Sequence, residues 1–250
     1  MTLLEALAVL AAGAGAGVVN TVVGSGTLIT FPTLLAVGFP PVLANVSNTV
    51  GLAPGSLSGA IGYRRELAGQ RARLIRLGAV STVGAVVGGL LLLRLPPQAF
   101  RLVVPVLILL ACVLVIFQPR LSGRLAARRR RGTHGGLPLL AGVFGSGMYG
   151  GYFGAAQGVI LIGLLGTLLD EDLQRVNAAK NVLAFLVNAA AAVLFIAVTE
   201  VSWSAAGLIA VGSVAGAYVG ATVGRRLPAY ALRVIVVLVG VVGAAQVIRG

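Results

Sequence analysis

The chain has very little acid. Six Asp and Glu stand against 19 Lys and Arg in 250 residues, and only 10% of residues are charged, against about a quarter in a soluble domain. The six acids are Glu5, Glu66, Asp170, Glu171, Asp172 and Glu200, all near loops or the ends of apolar runs. Divalent-cation carriers need carboxylate-rich oxygen sites, and intramembrane proton relays commonly use acids. A metal-cation carrier is therefore disfavoured, and no metal or cofactor is expected. The single cysteine, Cys112, has no partner for an internal disulfide. With one histidine, His134, a zinc cluster or a catalytic Cys–His pair is excluded too. There is one lysine, Lys180.

What is abundant is apolar. The hydrophobic share is 58% and glycine numbers 36; mean hydropathy is +1.02. A soluble enzyme, a disordered chain and a disulfide scaffold are ruled out. An all-α polytopic protein of the cytoplasmic membrane remains. A hydrocarbon core of ~30 Å takes about 20 apolar residues per helix. Eight segments qualify as full-length transmembrane helices: Leu3–Val23, Val42–Gly62, Leu74–Leu93, Ala99–Phe117, Leu137–Gly154, Val176–Val198, Ala205–Gly224 and Ala231–Ile248. Gly26–Val37 and Gly158–Leu169 are too short, since twelve helical residues cover only ~18 Å. Each follows a Gly-rich break, so each reads as a half-helix, re-entrant or part of a broken span.

The chain also repeats itself. Ser81–Val104 and Ser213–Val236 agree at 11 of 24 positions with an offset of 132 and no gap, including Arg94-Leu95-Pro96 against Arg226-Leu227-Pro228. The same offset pairs Gly26 with Gly158 and Asn45 with Asn177. The expected organisation is an N-terminal transmembrane repeat over 1–117, a basic cytoplasmic linker over 118–136 and a C-terminal transmembrane repeat over 137–250. Basic loops lie on the cytoplasmic side. If the half-helices do not cross, the repeats are parallel and 12 basic residues lie inside against 6 outside. If they cross, the repeats are inverted and the count becomes 15 against 3. Charge favours the inverted arrangement, which is also a recurrent transporter design. The Arg128–Arg131 run reads as a topology signal beside anionic lipid heads, not as a nucleic-acid surface.

Chemistry concentrates at the breaks. A helix start leaves four N–H groups free and carries partial positive charge. Glycine lets an anion approach them, so a buried helix N-terminus makes an anion site. Gly24, Ser25, Gly26 and Thr27 open the first half-helix, with Asn20 and Thr21 just before it. Asn45, Asn48 and Thr49 share one face of the next span; Gln157 and Gly158 open the second half-helix, and Asn177, Lys180 and Asn181 follow in the register of the first set. These fourteen residues form the expected substrate site. Small residues also serve simple helix packing, and buried amides serve as interhelical glue. Lys180, placed inside a span, is a functional hypothesis in its own right, set against snorkelling toward Asp170, Glu171 and Asp172.

The ordered motifs resemble the sulfite exporter TauE/SafE family, also described as four-TM-helix sulfonate uptake transporters. The resemblance rests on Gly17–Asn20, the break Gly24–Gly26, Pro32, Gly38-Phe39-Pro40, Ala44–Thr49, Pro54-Gly55-Ser56 and Gly62-Tyr63-Arg64-Arg65. Gly158 and Lys180-Asn181 carry it in the second half. It implies a transporter of sulfur-containing anions such as sulfite or sulfonates. The expectation is a secondary transporter working by alternating access, with the anion near the midplane. An anion channel with the same cavity is the first alternative, and an intramembrane lipid phosphatase the second. Expected partners are the small anion and membrane lipid; a homo-oligomer is compatible with the sequence.

Overall fold

The computed structural model describes residues 1–127, 136–223 and 229–249. His134, the Arg128–Arg131 run and the Arg226-Leu227-Pro228 repeat match lie outside the described residues. Ten α-helices make up the described chain. They are α1 (Leu3–Val22), α2 (Thr27–Ala36), α3 (Pro41–Gly62), α4 (Arg71–Arg94), α5 (Pro97–Ala127), α6 (Gly136–Tyr152), α7 (Gln157–Leu168), α8 (Leu173–Val198), α9 (Trp203–Thr222) and α10 (Ala229–Arg249). A 3₁₀ turn over Arg64–Leu67 precedes α4.

Local chemistry sets these boundaries. Thr2 and Glu5 form a capping box on α1: Glu5 N–H donates to Thr2 Oγ1 at 3.3 Å, and Thr2 N–H to Glu5 Oε2 at 2.7 Å. Pro41 starts α3, where a missing N–H costs nothing. The Asp172 carboxylate caps α8, accepting from the N–H groups of Gln174 and Arg175 at 2.9 and 3.0 Å.

Among the described residues five helices are long and apolar enough to cross a membrane: α1, α4, α5 over Gln98–Pro119, α8 and α9. Eight such spans were expected. α3 has the length but not the apolarity, because Asn45, Ser47, Asn48, Thr49 and Ser56 line its buried face. α6 has 17 residues, while α10 has the 21-residue length of a span, of which Leu232–Ala245 is the apolar stretch among the described side chains. The two short segments are helical within a residue of expectation. α5 runs on through Pro119 to Ala127, into the expected linker.

Helix starts at Pro41, Arg71 and Pro97 recur 132 residues later at Leu173, Trp203 and Ala229. The packing interlocks these two sets of five. α1 lies chiefly against α9, and its counterpart α6 against α4. Backbones touch at both crossings, since a Cβ on Gly216 would strike the Ala14 carbonyl and one on Gly88 the Met148 carbonyl. Without a hydrophobic force between helices in lipid, close contact of this kind holds a bundle together.

The contacts also give directions. Leu10, Ala14 and Val18 of α1 meet Gly212, Gly216 and Gly220 of α9 in rising order, so the two are parallel. Gly51, Gly55 and Gly62 of α3 meet Ile209, Ser213 and Ala221 of α9, again parallel. In α4, Gly84 and Gly88 meet Phe144 and Met148 of α6, while Gly78 and Gly89 meet Leu186 and Leu194 of α8. Thus α1, α3 and α9 share one direction, and α4, α6 and α8 share another. Ser56 accepts from Asn188 and Gly59 lies by Asn181, which makes α3 antiparallel to α8. Gln118 meets Arg233 and Cys112 meets Gly240, so α5 is antiparallel to α10. Because α1 and α3 point the same way, the chain reverses between them, and α2 is the returning element. α7 does the same between α6 and α8.

The outermost faces are apolar, with Leu102, Val106 and Leu110 of α5 exposed, as are Ile235, Leu238 and Val242 of α10. The principal core cluster includes Phe31, Phe100, Tyr152 and Phe153. Their rings meet edge-on, with centroids 5.2 Å apart for Phe31–Phe153 and 5.8 Å for Phe100–Tyr152.

Candidate anion site at the paired helix breaks

α1 ends at Val22 because Gly24 turns the chain with φ +90°. This left-handed conformation suits glycine alone at low cost. The repeat position, Ala156, is left-handed too, with φ 58°. The two breaks meet. Gly158 N–H donates to the Gly24 carbonyl at 3.0 Å, and a Cβ on Gly24 would lie 2.5 Å from Gly158 Cα. The N-terminal ends of α2 and α7 are therefore brought to one buried place, which concentrates two positive helix ends.

The carbonyl ends of the broken helices are closed by amides from the other half. Asn45 Nδ2 donates to the Tyr152 carbonyl at the end of α6, at 3.0 Å. Its counterpart Asn177 donates to the Thr21 carbonyl at the end of α1, at 3.3 Å. Asn181 reaches the same carbonyl at 3.5 Å. Lys180 joins this group. Its Nζ donates to the carbonyls of Asn20 and Thr21 at 2.8 and 3.1 Å. Its stem passes Gly158, and the side chain is fully buried. It does not snorkel: Nζ points into the protein, onto the negative end of α1. Among the described residues no carboxylate pairs with it.

Around the first break, Asn20 Oδ1 accepts from Gly26 N–H at 3.5 Å, and Asn20 Nδ2 reaches Ser56 Oγ at 3.4 Å. Asn48 accepts from the Thr30 hydroxyl and donates to Thr27 Oγ1 at 3.5 Å. Four buried polar atoms here lack a hydrogen-bond partner: Ser25 Oγ, Gln157 Nε2, Asn45 Oδ1 and Asn177 Oδ1. They form two repeat-related pairs, since Ser25 and Gln157 stand 132 residues apart, as do Asn45 and Asn177. Buried polar groups are normally satisfied, so these orphans make the breaks the candidate site; Ser81 Oγ on α4 and Ser146 Oγ on α6 are unpartnered as well.

Of the fourteen expected residues, thirteen gather at the breaks or cap the broken helices. Thr49 alone turns back, donating to the Asn45 carbonyl in its own helix at 2.9 Å. Tyr149 braces the second break by donating to the Ala155 carbonyl at 2.5 Å. Two contributors escaped the sequence reading. Ser56 accepts from Asn20 and Asn188. Gln118 is buried and donates to the Val23 carbonyl at 3.3 Å, while accepting from Arg233. Gln118 borders Pro119 and Arg120, so it read as linker; only the continuation of α5 places it inside.

Comparison with known proteins follows from this geometry. The family described as "Sulfite exporter TauE/SafE" matches residues 9–247. The chain belongs to that family. A "Probable membrane transporter protein" of Haemophilus influenzae is 30% identical over 219 residues, covering 87% of this chain and 85% of the relative. The "Probable membrane transporter protein YfcA" of Escherichia coli K12 is 27% identical over 234 residues, covering 93% and 86%. A Sinorhizobium protein named "Probable membrane transporter protein ORF9" is 26% identical, covering 94% and 87%. No solved structure matches the chain. This TauE/SafE protein is accordingly a multi-pass membrane transporter and not an enzyme.

Proposed function

We propose that this TauE/SafE protein is a secondary transporter for a small sulfur-containing anion, such as sulfite or a sulfonate, working by alternating access. The observation that carries the reading is the meeting of the α2 and α7 N-termini at Gly24 and Gly158, with Lys180 buried beside them. Two helix N-termini and one ammonium give the charge an oxyanion requires. The unpartnered Ser25 hydroxyl and Gln157 amide supply further donors. Binding at a midplane site between broken helices is how many transporters hold substrate.

The helix directions support two inverted repeats. A full crossing by α1 followed by a re-entrant α2 would leave α1 antiparallel to α3, and their shared direction opposes that. The ion pairs agree: Glu171 binds Arg73 at 2.8 Å and Arg175 at 2.6 Å, joining the α3–α4 and α7–α8 connections on the side that carries most basic residues.

Titration calorimetry on the detergent-purified protein tests the site. Sulfite and methanesulfonate are expected to bind, with acetate weaker, and Lys180→Ala is expected to weaken sulfite by roughly tenfold or more, the scale of a lost charged hydrogen bond. Unchanged affinity in Lys180→Ala removes Lys180 from the site. Absence of any oxyanion binding removes the anion reading.

A further inference from the structure

Lys180 poses a problem of charge. It is the chain's one lysine, it is fully buried, and its two partners are neutral carbonyls. An ammonium removed from water is costly unless an opposite charge or proton loss removes the imbalance. The half-charge at the end of α1 offsets only part of it.

Among the described residues no neighbouring element places a carboxylate against Lys180; Tyr63 packs on Ala178 of α8, and Asp170 lies before Asp172 in the α7–α8 connection. α3 and α7 contain no titratable residue. α1 has only Glu5, in its first turn at the far end from Asn20. α6 offers Tyr149, bonded to Ala155, and Tyr152. α4 brings Arg71, Arg73, Arg76 and Arg94, and the 3₁₀ turn Arg64, Arg65 and Glu66. On α8 itself Arg175 is paired with Glu171, and Asp172 caps the helix. Lys180 lies two turns further on, ~12 Å along the axis.

Architecture does not require the charge either. At the repeat position of Lys180 stands Asn48, a neutral amide held by Thr30 and Thr27. The equivalent helix end, that of α6, is closed by the Asn45 amide with no cation from that position. The fold therefore closes one break with neutral groups and places an ionisable amine at the other, its stem against Gly158.

We propose that Lys180 is the coupling group of the transporter and carries one proton with each monovalent anion. This rests on the anion-transport reading above. On the loading side the neutral amine takes one proton from water and the site takes one anion, giving an ammonium–anion pair with no net charge. On the release side the anion leaves and the ammonium returns its proton to water. The loaded and empty sites are then both neutral, so either crosses without moving charge. The scarcity of buried acids is consistent with a base as the proton carrier.

Methanesulfonate is the deciding probe, because it stays ionised across the working pH range and cannot itself carry the proton. The purified protein is placed in liposomes containing a fluorescent pH dye, and labelled methanesulfonate is added outside. The expected result is acidification of the lumen with about one proton per anion, and a flux unchanged by a potassium–valinomycin potential. Lys180→Asn, which copies the residue at the repeat position, is expected to fold, to lose proton movement at least tenfold, and to make any remaining flux respond to potential. Anion flux without acidification, driven by the potential, overturns the coupling and leaves transport standing. So does proton movement that persists in Lys180→Asn. If neither methanesulfonate nor sulfite moves under any gradient, the transport reading falls, and the coupling with it.

Discussion

Among single residues, Gly24, Asn45 and Lys180 shape the breaks most. Gly24 combines a left-handed φ with backbone contact to Gly158. Gly24→Ala is therefore expected to lower stability by about 2 kcal/mol or more, through strain and a clash that backbone cannot relieve; a fall in the detergent melting temperature measures it. Asn45→Ala leaves the buried Tyr152 carbonyl without its donor, at about 1–3 kcal/mol. The types and register of these residues were legible in sequence, because glycines, amides and the lone lysine recur at matched positions. Their partners were not. Lys180 meets carbonyls 160 and 159 positions away, and no local pattern encodes a contact of that separation. The sequence therefore suggested that Lys180 faces the substrate directly, whereas its ammonium also closes the end of α1.

At the scale of elements, the half-helices and their neighbours carry the argument. Their starts were legible because a Gly-rich break ahead of a short apolar run has few other readings. The length of α5 was not, because Pro119 and the arginines after it resemble a linker while the helix continues to Ala127. The connection between α7 and α8 is tied to α4 through Glu171. Burial alone would raise its carboxyl, but hydrogen bonds and charge from Arg175 and Arg73 outweigh this and hold it below the usual range. A carboxylate whose folded value is depressed stabilises the fold above its unfolded pKa, near 4.3, and loses that contribution as pH falls through the folded value. Glu171→Gln is expected to cost about 0.5–1 kcal/mol at pH 7, as for a partly exposed pair. The difference from the parent should vanish in melts carried out well below pH 4. A constant difference across pH would show that packing, not charge, is what was lost.

At the scale of the whole molecule, direction is the main result. Composition established a membrane protein and the 132-residue offset suggested duplication, but sequence left parallel and inverted repeats both open. The shared direction of α1 and α3, and the opposition of α3 to α8, favour inversion. Inverted repeats place Thr2 and Ser202 outside the cell, whereas parallel repeats place both inside. With Cys112 replaced by serine, Thr2→Cys and Ser202→Cys are expected to react with a membrane-impermeant maleimide on intact cells. Protection of both until lysis would support parallel repeats. The proposed inversion would also account for the cross-capping, in which Asn45 and Asn177, 132 residues apart, each close a helix of the opposite half.

The central claim is that the paired breaks form the site of an alternating-access anion carrier, and counterflow of labelled sulfite in liposomes tests it most directly. A carrier reorients with its site loaded, so unlabelled sulfite inside should accelerate and transiently concentrate the label, with saturable kinetics. Flux that rises linearly with sulfite and ignores the internal anion would contradict the account and favour a channel.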